Sequence, residues 1–247
     1  MRLRLIAACA GLAFAAIPVL AQNACRAPKI TGPTPKAADG HPDLSGLWSP
    51  QPNFSFDISK ALKPGSAIEP LPWAAKIAAE RMSKDDPEAN CLPTGVPRVA
   101  PYPWKILQSK DLVVFLFEGN VHTYRQIFLN RTAHPKDLNP TWYGDSIGHW
   151  EDDTLVVDTV GYNDRFWFDF AGRAHTEQLH TIERYRRPDL GTLEDEVTIE
   201  DPGAYAKPFT LLAKMSLLAG QEIMEYICNE NNRDLTHIVG KEGVDRR

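Results

Sequence analysis

From Trp104 onward, apolar and polar residues alternate in short runs, a pattern typical of strands with one face on a core and the other in water. The run Thr192–Glu200 shows it clearly, since Leu193, Val197 and Ile199 alternate with threonines and glutamates. Short breaks between the runs favour antiparallel neighbours. The pattern predicts strands at Trp104–Gln108, Leu112–Glu118, Val121–Leu129, Tyr143–Trp150, Thr154–Val160, Gln178–Arg186, Thr192–Glu200, Phe209–Leu217 and Glu222–Cys228, with a further candidate at Gly46–Ser49.

A sheet of this length in a chain of this size is expected to curl and close, because closure removes its exposed edges. We therefore predict a mainly β fold, an antiparallel, calycin-like (lipocalin-like) up-and-down barrel of about 8–10 strands. Residues 22–103 are predicted to form a proline-rich arm, with one short helix over 73–84 that starts after Pro72. The arm and the barrel body, residues 104–247, are predicted to form one domain.

The first 21 residues have the layout of a secretory signal peptide. Arg2 and Arg4 precede an apolar stretch from Leu5 to Leu20, and Val19-Leu20-Ala21 fits the small-x-small rule for cleavage. We predict cleavage near Ala21 and a periplasmic or secreted protein. No other run approaches the roughly 20 apolar residues that span a bilayer, so no membrane span is expected.

Three cysteines follow the predicted signal peptide, Cys25, Cys91 and Cys228, and an exported protein can pair them. We predict the pair Cys91–Cys228, because it would tie the segment before the sheet to the last predicted strand. Cys25 lies close to the terminus of the exported chain. The alternative is that all three are free thiols.

Composition and charge limit the kinds of molecule that the protein is expected to bind. With 43% hydrophobic and 24% charged residues, the chain is neither disordered nor a coiled coil. Its net charge is −5 and no cluster of lysine or arginine stands out, which argues against a nucleic-acid partner. A small organic ligand is the expected partner, and the oligomeric state is left open.

Several charged residues share a predicted strand face with apolar neighbours, which makes them candidates for a polar site inside the barrel. They include Arg125, His149, Asp158 and Glu183. His149 and Asp158 flank a predicted hairpin, so their strands are expected to pair directly. A lumen with these groups could move protons, since burial shifts their pKa values. The alternatives are a structural ion network, or an outer face covered by the arm.

A second group of titratable residues follows between two predicted strands: His175, Glu177, His180 and Glu183. Imidazole and carboxylate can bind zinc or iron. On a strand, however, His180 points away from His175 and Glu177, and the metalloprotease motif HExxH is absent. We therefore predict no metal and no cofactor, and expect proton transfer by a histidine oriented by a carboxylate. The alternative is a solvated loop at the barrel mouth.

Aromatic residues are concentrated between Trp142 and Phe170. Such residues line a ligand pocket or, equally, form a hydrophobic plug at the barrel end. The candidate ligand-binding residues are Arg125, Trp142, Tyr143, Trp150, Tyr162, Asn163, Phe166 and Trp167.

Two resemblances support this interpretation. Asp39–Trp48, Cys91–Arg98, Ser146–Thr159 and His175–Arg187 resemble segments of a large family of exported bacterial proteins of unassigned function, which implies an export location but no chemistry. The chain is also similar to lipocalins and their calycin relatives through Gly46-Leu47-Trp48 ahead of a meander of strands. That second resemblance implies a barrel.

Together these features favour an exported barrel that binds a small organic molecule and acts on it by acid–base chemistry without a cofactor, as a lyase, hydratase or isomerase. The predicted catalytic residues are His149, Asp158, His175, Glu177, His180 and Glu183. The alternatives are a non-catalytic carrier or structural envelope protein and, at lower rank, a metal-dependent hydrolase.

Overall fold

Nine strands form a closed barrel in a computed structural model, which describes residues 30–50, 57–98, 102–119, 121 and 123–230. The predicted signal peptide and Cys25 lie outside the described residues. The strands are β1 (Gly46–Pro50), β2 (Trp104–Gln108), β3 (Leu112–Phe117), β4 (Tyr124–Phe128), β5 (Asp145–Glu151), β6 (Thr154–Val160), β7 (His180–Asp189), β8 (Thr192–Glu200) and β9 (Phe209–Leu217). The predicted fold class is therefore confirmed.

The order around the barrel follows the chain, and β1 pairs with β9 to close it. All pairings are antiparallel except that of β4 with β5, which is parallel. A ring with an odd number of strands cannot alternate direction throughout, so a nine-stranded barrel needs one parallel contact. The connection between β4 and β5, residues 129–144, is long enough to return the chain to the end of the barrel where β4 began, so that β5 runs parallel to β4.

The strand predicted at Glu222–Cys228 is wrong, because that segment has no strand in the structure. Its apolar side chains Met224, Tyr226 and Ile227 are exposed. β1 occupies the closing position instead, and its Trp48 side chain is completely buried, with the indole nitrogen donating to the Leu44 carbonyl. The buried tryptophan explains why β1 rather than the later segment completes the ring.

The inward side chains of the strands form the hydrophobic core, with Ile106, Phe115, Leu155, Leu193 and Phe209 among the buried residues. Inward residues of neighbouring strands lie in register across the sheet. The polar residues that share these inward positions are therefore surrounded by apolar side chains, where they need partners.

The arm contains one α-helix, Pro72–Glu80, and 3-10 turns at Ile58–Ala61, Ser83–Asp85 and Pro87–Asn90. The helix was expected over 73–84 but ends earlier, because Arg81 has an extended backbone and its side chain donates to the Gly172 carbonyl. No helix in the described part of the chain is long and apolar enough to cross a membrane.

The end of the arm is held by a disulfide to the segment after β9 and by an ion-pair cluster within the arm itself. The predicted disulfide Cys91–Cys228 is confirmed. The Arg98 guanidinium, itself buried, donates to both carboxylate oxygens of Asp86 and to Glu88, with N–O distances of 2.6–3.0 Å. The segment between Cys91 and Arg98 is fixed at both ends, and its Val96 and Pro97 lie over the barrel lumen.

Candidate functional site

A buried ion pair crosses the lumen between β4 and β7. Arg125 Nη1 donates to Glu183 Oε1 at 2.9 Å, and Arg125 Nη2 donates to Glu183 Oε2. The guanidinium also donates to Ser146 Oγ at 3.0 Å and to Thr159 Oγ1 at 2.7 Å. Burial lowers the pKa of Arg125, but the charge and hydrogen bonds of Glu183 outweigh that effect and raise it overall. Arg125 is therefore a fixed cation, and Glu183 is its hydrogen-bonded partner.

A second carboxyl group lies beside this pair. Asp195 on β8 is the cross-strand partner of Tyr185 on β7, and the Tyr185 hydroxyl donates to Glu183 Oε1 at 2.7 Å. Asp195 is only 7% exposed, and its Oδ1 has no hydrogen-bond partner among the described residues. Burial, and then the charge of Glu183, raise the pKa of Asp195 well above the usual aspartate range. Asp195 thus tends to keep its proton.

Asp195 lies on the wall of a small cavity in the lumen. The volume is about 40 Å³, and the aromatic residues Trp104, Phe115, Phe117 and Tyr185 form much of its lining. Ala213, the cross-strand partner of Asp195 on β9, also lines it. The space would hold roughly three water molecules. The site therefore combines an apolar cavity, a fixed ion pair and one protonated carboxyl group.

Of the predicted catalytic residues, Glu183 alone lines this cavity. The strands of His149 and Asp158 pair directly, as expected, but His149 lies opposite Val156 and Asp158 opposite Ile147. Both side chains point outward. The His149 side chain is 63% exposed and lies 3.2 Å from Glu151. The expectation that the polar faces meet in one lumen is therefore wrong for His149 and Asp158.

Asp158 and His180 instead belong to a chain of imidazoles and carboxylates on the outside of the barrel. His134 Nδ1 lies 2.8 Å from Asp145, and its Nε2 lies 2.9 Å from Asp158. His180 lies 3.2 Å from Asp158 and 3.1 Å from Glu200. The sequence reasoning missed His134, Asp145 and Glu200. Within the described ranges, no group of three or more candidate ligands is arranged to hold a metal ion.

His175 occupies a third, separate environment. Its ring packs against those of Phe166 and Phe168, with centroid distances of 3.9 and 5.0 Å. Burial lowers the pKa of His175 to about 4, and its Nε2 has no hydrogen-bond partner in the described structure. His175 is therefore a neutral residue of the aromatic core. Glu177 is exposed on the neighbouring loop and does not join it.

The predicted ligand-binding residues are also dispersed, and of these Arg125 alone lines the cavity. Tyr162, Phe166 and Trp167 are buried, and the Tyr162 hydroxyl bonds with that of Thr181 at 2.7 Å. Tyr143 stacks on Phe117 from outside the cavity lining. The remaining three make contacts away from the cavity: Trp142 with Arg165, Trp150 with His41, and Asn163 with the Arg165 backbone.

The sequence reasoning missed Asp195 and Tyr185 as site residues, although both carry a readable signal. Asp195 occupies a core-face position of β8, between Leu193 and Val197, where the alternation of apolar and polar residues predicts an apolar side chain. Tyr185 lies two residues after Glu183, on the same inward face of β7. A polar residue that interrupts an apolar face is the pattern that would have identified Asp195.

Comparison of the chain with family models, curated proteins and solved structures finds no match. The resemblance to exported bacterial proteins therefore stays a prediction. What the site can do follows from its own geometry and charges.

Proposed function

We propose that the protein binds a small organic molecule in the barrel lumen and acts on it by proton transfer from Asp195. The observation that carries this proposal is a buried carboxyl oxygen without a hydrogen-bond partner in the described structure, on the wall of an open space. A buried polar atom normally finds a partner during folding, so an unsatisfied one beside a cavity favours a ligand.

The two lumen carboxyl groups lie in different environments. Both oxygens of Glu183 accept hydrogen bonds from Arg125, whereas Asp195 Oδ1 has no hydrogen-bond partner in the described structure and burial raises the pKa of Asp195. Groups in such contrasting environments can supply an acid and a fixed charge within one site. Tyr185, hydrogen-bonded to Glu183 and adjacent to Asp195, connects the two.

The reaction class that fits is an elimination, hydration or isomerisation, in which a proton moves at the reacting atom. In this scheme Asp195 donates the proton and takes it back at the end of the cycle. The ion pair of Arg125 and Glu183 fixes the charge distribution around it. The cavity is small, so the reacting end of the substrate is small as well.

The same proposal places the protein in the periplasm or outside the cell. The half-buried disulfide Cys91–Cys228 indicates an oxidising compartment. The predicted signal peptide supports export.

Deuterium incorporation tests the catalytic role without knowledge of the substrate. The protein is incubated in D2O with a panel of small hydroxy acids, enones, aldehydes and amines, and mass spectrometry detects deuterium in the carbon skeleton. Asp195→Asn is expected to reduce the rate about 100- to 10,000-fold, the usual contribution of a general acid or base. The matched control is Asp111→Asn, which changes an exposed aspartate and should leave the rate unchanged.

An Asp195→Asn variant that retains the wild-type rate contradicts the proposed role of the carboxyl group. Binding by the wild-type protein with no deuterium incorporation across the panel would identify a carrier instead of an enzyme.

A further inference from the structure

Carboxyl groups outnumber basic side chains around the lumen cavity. Two carboxyl groups, Glu183 and Asp195, line it, and among the described lining residues Arg125 is the one basic side chain. The Arg125 guanidinium already donates to Glu183, Ser146 and Thr159. An anionic ligand would meet carboxyl groups without a free basic partner. A cation would find Asp195 as its counter-ion.

The aromatic walls favour a cation for a second reason. The rings of Trp104 and Phe115 are inclined by 45°, those of Phe115 and Tyr185 by 86°, and those of Trp104 and Tyr185 by 69°. Their centroids are 4.8–6.5 Å apart. Rings at these distances and angles pack edge to face against one another, and together they line one side of the cavity. The faces of tryptophan, tyrosine and phenylalanine attract cations, most strongly where water is excluded.

The size of the cavity limits the cation. About 40 Å³, the space of roughly three water molecules, accommodates an ammonium group with one or two methyl substituents. Ala213, opposite Asp195, leaves this space open, since a larger side chain at that position would fill it.

We propose that the lumen binds a small alkylammonium ion, such as methylammonium or dimethylammonium, between the aromatic walls and the carboxyl group of Asp195. This inference rests on the proposed function, because it uses the same cavity and the same carboxyl group. An ammonium ion that enters from solution displaces the proton of Asp195, which leaves to solvent as the ion pair forms. An amine that enters as the free base takes that proton directly, and no proton is released.

The test measures binding and proton release together. Methylammonium, dimethylammonium and tetramethylammonium chlorides are titrated into the protein at constant ionic strength, with acetamide as a neutral ligand. Saturation-transfer NMR on the ligand methyl protons reports binding, and a pH-stat reports protons released. Methylammonium and dimethylammonium are expected to bind with release of up to about one proton each near neutral pH. Tetramethylammonium should not bind, because it exceeds the cavity and has no N–H to donate.

Asp195→Asn should weaken methylammonium binding about 10- to 100-fold, as expected for the loss of a charge-assisted hydrogen bond, and should abolish proton release. Ala213→Leu provides an independent variant, because it fills the cavity from the neighbouring strand and leaves the Asp195 carboxyl group in the protein. It should also abolish binding. Asp111→Asn should bind like the wild-type protein. Circular dichroism confirms that each variant is folded.

Binding of acetamide in preference to methylammonium, ammonium binding that survives Asp195→Asn, or no binding of either cation would overturn the alkylammonium inference. The proposed function is tested by a separate experiment, since it depends on the loss of deuterium incorporation in Asp195→Asn, whatever the substrate.

Discussion

Arg125→Met is expected to lower the free energy of unfolding by about 3–5 kcal/mol, because it leaves Glu183 as an uncompensated charge in the barrel core. The side chains of both residues are 2% exposed, so water cannot replace the lost partner. The double variant Arg125→Met/Glu183→Gln removes both charges and should recover most of the loss. Urea denaturation followed by tryptophan fluorescence, with the disulfide intact, measures the difference.

Arg184→Met is the matched control for this experiment. Arg184 is the residue after Glu183 on β7, points outward and pairs with Glu151. A surface pair of this kind contributes about 0–1 kcal/mol. If Arg125→Met cost no more than Arg184→Met, the lumen ion pair would not be the buried, mutually dependent unit described above.

Replacing Cys91 and Cys228 by serine is expected to lower the free energy of unfolding by about 4 kcal/mol, within a range of about 2–5 kcal/mol. The bridge joins residues 137 positions apart, and cross-linking a long loop restricts the unfolded chain strongly. Thermal and urea unfolding of the double variant measure the effect.

Cys25→Ser is the control for the disulfide, since it removes a cysteine outside the pair. It should unfold at the same urea concentration as the wild-type protein. A loss below about 1 kcal/mol in the double variant would contradict the expected stabilisation by the disulfide.

The strands could be predicted because successive side chains of a pleated strand point to opposite faces, so apolar and polar residues alternate along the sequence. The predicted bounds of β2, β6, β8 and β9 agree with the structure. Which segment closes the barrel was not predictable in the same way. The segment from Glu222 to Cys228 has the composition of a strand, but the position next to β9 goes to β1, whose Trp48 is buried in the core. That outcome depends on contacts between distant parts of the chain.

For the candidate site, the strand pattern alone could not predict which side chains point into the barrel. Alternation indicates which residues share a face, but it does not identify the inner face when both are covered. Val156 is only 5% exposed although it lies on the outer face with Asp158, where His134 from the β4–β5 connection reaches across. The apolar neighbours of Asp158 therefore suggested a lumen position for it. Arg125 and Glu183 also share faces with apolar neighbours, and both line the lumen cavity.

Direct titration of the Asp195 carboxyl group is the most decisive measurement for the proposed site. Carbon-13 NMR of protein labelled at the aspartate carboxyl carbons, with Asp195 assigned by its loss in Asp195→Asn, follows the group across the pH range. We expect the Asp195 resonance to stay at the protonated position well above the usual aspartate range, because burial raises the pKa of this residue. An Asp195 resonance that titrates within the usual aspartate range would contradict the proposed site.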